Sequence, residues 1–133
     1  MEINPVDEDN RQGRILVVDD NATNVLVATA TLDHLGYSYD IAKNGMSAVE
    51  LFSKKKYLII LMDIQMPEMS GYEAIQQIRA HELKNDLLKT PIIIVTANAN
   101  FLDDTSHLTH SMDGFIIKPY KPEQLSKIIK LNT

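Results

Sequence analysis

Four short runs of consecutive apolar residues punctuate this chain, and each stops at a polar side chain. Ile15-Leu16-Val17-Val18 ends at Asp19 and Asp20, Ile59-Ile60-Leu61-Met62 at Asp63, Ile92-Ile93-Ile94-Val95 at Thr96, and Phe115-Ile116-Ile117 at Lys118. Unbroken runs of this kind, rich in β-branched residues, predict strands covered on both faces, as in parallel sheets, rather than half-exposed strands of alternating polarity. A weaker run, Tyr37–Ile41, predicts a further strand nearer the sheet edge.

Between the runs the apolar spacing turns helical. Val25, Ala28, Leu32 and Leu35 recur three and four apart, with Asn21 or Asn24 able to cap the start and Gly36 placed to end the helix. Asn44-Gly45 marks a turn before a short helix carrying Ala48, Leu51 and Phe52, whose lysines 54–56 read as a solvated end favourable to its dipole. Pro67 and Gly71 stop the central strand from continuing. Gly71 opens a third helix through Tyr72, Ile75 and Ile78 to about Glu82, with a connecting loop over 83–90. The stretch 101–110 has the poorest apolar pattern and predicts a weakly packed fourth helix. Pro122 begins a fifth, lined by Leu125, Ile128 and Ile129.

Strands that alternate with helices in this way predict a doubly wound parallel α/β sheet, because parallel neighbours need right-handed crossovers. The consequence is chemical. All strand C-termini share one edge, where such sheets bind ligands, so Asp19, Asp20, Asp63, Thr96 and Lys118 converge. Three clustered carboxylates repel unless a cation intervenes, and a hard divalent ion such as Mg²⁺ takes oxygen ligands. Lys118 adds a fixed positive charge and Thr96 a hydroxyl, so the set suits a tetrahedral anion beside a metal, as phosphoryl transfer requires. Asp63, at the centre, is the candidate acceptor.

Composition narrows the class further. At 133 residues the chain suits one domain, and residues 1–13, with Glu2, Asp7, Glu8 and Asp9, read as a flexible tail or linker remnant before folding begins at Arg14. The net charge of -5 argues against a general nucleic-acid or anionic-membrane surface. With Cys 0 there is neither a disulfide framework nor thiol chemistry, which fits a cytoplasmic protein. No apolar stretch approaches the roughly 18 residues of a membrane span. His107 and His110 are spaced for a helix face, and Met62, Met66 and Met69 cluster near the acceptor; the first pair reads as solvated and the second set as packing.

Together, ILVVDDN at 15–21, NG at 44–45, ILMDIQMPEMSGYEAI at 60–75, PIIIVTANA at 91–99 and FIIKPY at 115–120 resemble the receiver domain of two-component response regulators over residues 14–131. The wording around Asn21 and Asp63 is especially similar to receivers of hybrid sensor histidine kinases. That resemblance implies a flavodoxin-like (βα)5 sheet of strand order 2-1-3-4-5. It also implies that Asp63 accepts a phosphoryl group from phosphohistidine. Asp20, Asp63 and the backbone carbonyl of Gln65 would bind Mg²⁺, with Asp19 helping through water, and Lys118 would neutralise the transferring oxygens. The N–H groups of Ile64 and Ala97 would complete the anion site, and Lys118-Pro119 would be cis.

In the same family Thr96 and Phe115 form the switch that alters the surface of the fourth helix, fifth strand and fifth helix. Phe115 lacks the hydroxyl of the tyrosine common there, so its ring is expected partly inward even without phosphate. The implied partner is a histidine kinase or a histidine-containing phosphotransfer domain, with no nucleic-acid or membrane contact by this domain; a phosphorylation-dependent homodimer is also compatible. The only chemistry would be self-catalysed phosphoryl transfer and hydrolysis, so the module is not a turnover enzyme. Ser111, where many relatives have Gly, puts the end of the fourth helix in question, and Gln65 and Asn98 hold the positions that tune dephosphorylation. Two other classes stay open: a haloacid-dehalogenase-like phosphatase, which wants an Asp where Gln65 stands, and a docking module that never binds Mg²⁺.

Overall fold

The computed structural model describes residues 13–66, 69–97 and 112–133. Five strands, β1 (Arg14–Val18), β2 (Ser38–Ala42), β3 (Ile59–Asp63), β4 (Ile92–Thr96) and β5 (Gly114–Ile117), form one sheet in the order β2-β1-β3-β4-β5. Every neighbouring pair is parallel. Among the described residues four helices connect or follow them: α1 (Ala22–Leu35), α2 (Gly45–Lys54), α3 (Gly71–Lys84) and α4 (Pro122–Leu131). The helix expected over 101–110, its end at Ser111, Asn98, and the tail up to residue 12 lie outside the described residues. The C-terminal helix, fifth in the sequence reading, is therefore α4 here.

The apolar runs are strands because each side chain has a helix to face on one side or the other. Ile15, Val17, Ile59, Leu61, Ile93 and Val95 pack against Ala28 and Leu32 of α1 and Leu125 and Ile129 of α4. Their sequence neighbours Leu16, Val18, Ile60, Met62, Ile92 and Ile94 turn the other way, onto Ala48 and Phe52 of α2 and Ala74, Ile75 and Ile78 of α3. Fully buried isoleucines such as Ile60 and Ile94 each contribute roughly 1.5–3 kcal/mol relative to an exposed position. The weakly patterned strand, β2, lies at the edge as expected, with Ile41 exposed.

Local signals mark the helix ends. Asn21 caps α1, its Oδ1 accepting the Asn24 N–H at 3.0 Å, and Gly36 ends it at φ 84°, a left-handed conformation costly for other residues. Asn44 caps α2 through the Ser47 N–H at 2.8 Å. Helix α3 runs past Glu82 to Lys84, and the buried Glu82 side chain is satisfied inside the fold. It accepts from Arg79 Nη1 at 2.8 Å and from the Thr90 N–H. Arg79 also donates to the Thr90 carbonyl at 2.8 Å and to Asp113 at 3.3 Å, and Asp113 accepts the Ile92 N–H at 2.8 Å. This network joins the end of α3 to the starts of β4 and β5.

Lys55, solvent-exposed as expected, also reaches Asp40 of β2 at 3.2 Å. The same carboxylate receives Arg14 at 2.9 Å and the Tyr57 hydroxyl at 2.7 Å. Burial alone would raise the Asp40 pKa, but the hydrogen bond from Tyr57, then Lys55 and Arg14, outweigh it and hold the carboxyl below its usual value. Burial and the nearby Asp40 push the Tyr57 phenol upward. A carboxyl with a depressed folded pKa lends stability above its unfolded pKa of roughly 3.9 and loses it as pH falls through the lower folded value. Tyr57→Phe therefore costs about 1.5 kcal/mol at pH 7, within the range for hydrogen bonds to charged groups, and less at pH 3. Urea denaturation at the two pH values checks this; an equal loss at both would contradict the charge-assisted bond.

Candidate functional site

The sheet register brings the polar strand ends to one level. Asp63 stands opposite Val95, one residue before Thr96, and Thr96 stands opposite Ile117, one residue before Lys118. Asp19 and Asp20 follow β1 directly. One carboxylate oxygen from each of Asp19, Asp20 and Asp63 lies within 4.8 Å of the others. Lys118 Nζ approaches Asp19 Oδ2 at 3.2 Å and Asp63 Oδ2 at 3.5 Å. The Lys118 N–H donates to the Thr96 carbonyl at 2.7 Å, and the Lys118-Pro119 peptide is cis, as the resemblance implied.

The three acids are not equivalent. Asp19 and Asp63 are 6% and 3% exposed, whereas Asp20 lies open at the mouth. Both Asp19 oxygens are engaged, Oδ1 by the Asn21 N–H at 2.9 Å and Oδ2 by Lys118. Asp63 Oδ1 accepts the Gln65 N–H at 3.1 Å. Burial raises the Asp63 pKa; the Gln65 N–H opposes this, the Asp19 charge reinforces it and Lys118 opposes it, with the net result upward. Among the described residues, three carboxylates against one ammonium leave an excess of two negative charges. An all-oxygen donor set with that excess suits a hard divalent cation, and no described His belongs to it.

Of the remaining expected residues, Thr96 is fully buried at the end of β4 and Ala97 is exposed just beyond it. The Ile64 N–H, expected at the anion site, donates to the Val95 carbonyl at 3.4 Å and so extends the β3–β4 ladder. The backbone donor that faces the acceptor carboxylate is Gln65, which sequence reading could not single out because every residue but proline carries an N–H. Phe115 keeps 37% of its surface exposed, neither fully inside nor fully in solvent. His107 and His110 lie outside the described residues, while Met62 and the partly buried Met66 and Met69 pack in the α2/α3 layer of the core.

Two further features escaped the sequence. Gly71 does more than open α3: a Cβ there would lie 2.6 Å from the Asp63 carbonyl oxygen and 2.6 Å from Ile64 Cα, so only glycine lets the chain fold back over the acceptor. Tyr120, the last residue of FIIKPY, packs in the α1/α4 layer, where burial and then the Asp19 charge push its phenol up to about 12.

This fold is that of a two-component receiver. The family profile described as response regulator receiver domain matches residues 15–130, and the chain belongs to that family. Hybrid signal transduction histidine kinase B of Dictyostelium discoideum is 40% identical over 121 residues, covering 84% of this chain and 6% of the kinase. Among structures, the chain is similar to the receiver domain of sensor histidine kinase PA1611 from Pseudomonas aeruginosa PAO1, solved with a magnesium ion coordinated in the active-site cleft (TM-score 0.79, 36% identity, 90% and 95% of the two chains). It is also similar to a chain in the co-crystal of the Saccharomyces cerevisiae phosphotransfer protein Ypd1 with the receiver domain of Ssk1 (TM-score 0.82, 31% identity, 90% and 87%). The chain thus spans a small part of the hybrid kinase it resembles. Among the described residues no helix is long and apolar enough to cross a membrane.

Proposed function

We propose that this receiver domain, running over 14–131 after a tail at 1–13, takes a phosphoryl group from a phosphohistidine onto Asp63. The carrying observation is the convergence of a buried Asp63 with two further carboxylates and a lysine at one sheet edge. In the transfer, an Asp63 oxygen forms a bond to phosphorus as the phosphorus–nitrogen bond to the donor imidazole breaks; the bonding pair stays on that nitrogen, which takes up a proton. Asp20, Asp63 and the backbone carbonyl of Gln65 would hold Mg²⁺ directly, and Asp19, whose oxygens already serve Asn21 and Lys118, would act through water. Mg²⁺ supplies charge neutralisation for the phosphoryl oxygens when bound. Lys118 neutralises the same oxygens from the β5 side, and the N–H groups of Ile64 and Ala97 donate to them.

The aspartyl phosphate adds a charge of about −1.5 to −2 in place of the carboxylate. Thr96 donates its hydroxyl to the new oxygens, and Phe115 moves further inward as Thr96 shifts, reshaping the surface of β5 and its flanking helices. The partner is a histidine kinase or phosphotransfer domain in the cytoplasm, a reading supported by the hybrid-kinase relative and by the co-crystal of a similar receiver. Hydrolysis of the domain's own phosphate is its only turnover.

Intact mass after incubation with Mg²⁺ and acetyl phosphate tests this. The expected result is one added phosphoryl group, absent when EDTA replaces Mg²⁺. A protein that binds neither Mg²⁺ nor phosphoryl would be a docking module instead.

A further inference from the structure

The Asn44-Gly45 turn has a role that helix α2 does not explain. Glycine is a poor helix former, and alanine in the first turn of α2 would be favoured by propensity. Gly45 is nevertheless buried, and a Cβ placed on it would lie 2.8 Å from Met69 Cγ and 2.9 Å from the Met69 carbonyl oxygen. Contacts that short force a shift, and the carbonyl is backbone, so the shift would pass into the loop after Asp63. The strand that leads into this turn is tied to the acidic pair, since the Asp19 N–H donates to the carbonyl of Ala42, the last residue of β2, at 3.0 Å. The end of β2 and the start of α2 therefore each adjoin one of the two loops that carry the site.

The described parts of the loop after Asp63 meet two glycines, Gly71 against Asp63 and Ile64 and Gly45 against Met69. Gln65 lies between them. We propose that Gly45 is a positioning residue: by admitting the Met69 backbone at van der Waals distance, it sets the loop so that the Gln65 carbonyl and the Asp63 carboxylate present a cation site together. This rests on the reading of the site given above. Mg²⁺ demands near-ideal octahedral geometry, so displacement of one oxygen by a few tenths of an ångström weakens binding where a larger, more adaptable ion would tolerate it.

The test titrates MgCl₂ alone into isotopically labelled protein, followed by amide NMR, for the parent, Gly45→Ala, Gly45→Ala/Met69→Ala and Ile129→Val. The last is a core substitution in the opposite layer that lowers stability without touching the loop. Gly45→Ala is expected to need at least about tenfold more Mg²⁺ for half-saturation, the range seen when supporting residues of metal sites are changed. Met69→Ala in that background should restore part of the affinity, because it removes the Cγ contact and leaves the carbonyl one. Ile129→Val should bind as the parent does. In the parent, the Gly45 and Met69 amides should themselves shift on Mg²⁺ addition, a readout independent of how well any variant folds. Parent-like affinity in Gly45→Ala, an equal loss in Ile129→Val, or unmoved Gly45 and Met69 amides overturns the proposal. A parent that binds no Mg²⁺ would instead remove the functional reading beneath it.

Discussion

Asp63→Asn is expected to take up no phosphoryl group under conditions that modify the parent, and in Mg²⁺-free buffer to melt higher than the parent. The first outcome follows from chemistry: an amide oxygen does not form the acyl phosphate, and Asp63 is the carboxylate buried between Asp19 and Lys118. The second follows from the sign of the pKa shift. An acid whose folded pKa is raised is favoured protonated, so its stabilising contribution is complete below the usual carboxylate value and disappears as pH rises through the folded one. At pH 7 the ionised Asp63 therefore opposes folding. Asparagine keeps the shape and the oxygen that accepts the Gln65 N–H, and Lys118 retains Asp19 at 3.2 Å. We expect a gain of about 1 kcal/mol, or about 4 °C in Tm. Mg²⁺ should raise the parent's Tm and leave that of Asp63→Asn nearly unchanged, because ligand stabilisation needs differential binding to the native state. Intact mass and thermal melts in EDTA and in Mg²⁺ decide both points; a phosphorylated Asp63→Asn would place the acceptor elsewhere.

Arg79→Ala has the largest expected effect on stability. Its guanidinium is the charged partner of Glu82, whose side chain is 5% exposed, and it also reaches Thr90 and Asp113. Removing it leaves a buried carboxylate with the Thr90 N–H but without its cation, and breaking one side of a buried pair costs about 3–5 kcal/mol. Arg79→Ala/Glu82→Gln should recover part of that loss, since the uncompensated charge is then gone. Urea denaturation at pH 7 reads both, and a loss under about 1 kcal/mol in Arg79→Ala would mean that the network is not a structural tie. Because these side chains sit at the starts of β4 and β5, away from the acidic edge, Arg79→Ala should alter stability with little change in Mg²⁺ affinity per folded molecule.

Much of this protein is written in local patterns. The apolar runs became β1, β3, β4 and β5, Asn21 and Gly36 bound α1, and the acids ending β1 and β3 meet the lysine after β5. These survive because each depends on neighbours in sequence: a run of β-branched residues suits any doubly covered strand, and a cap bonds an N–H three residues on. Lys55 shows where such reasoning stops. Its place at a helix end reads correctly as solvent-facing, but nothing local names its partner Asp40, fifteen positions away on β2. The part-buried pair of Arg79 and Glu82 looks, in sequence, like an ordinary exposed helix pair.

What the sequence by itself determined is the set of chemical groups and their order: five strands, and an acid, a hydroxyl or an ammonium at the ends of four of them. Only the tertiary structure decided which groups meet. It put Lys118 within 3.2 Å of Asp19 across 99 positions, turned the Gln65 N–H toward Asp63, and left no room for a side chain at Gly45 or Gly71. The physical reason is that pattern encodes which face a residue buries, through periodicity and propensity, whereas distances across the sheet edge depend on strand register and loop path. Both are set by packing between segments far apart in the chain.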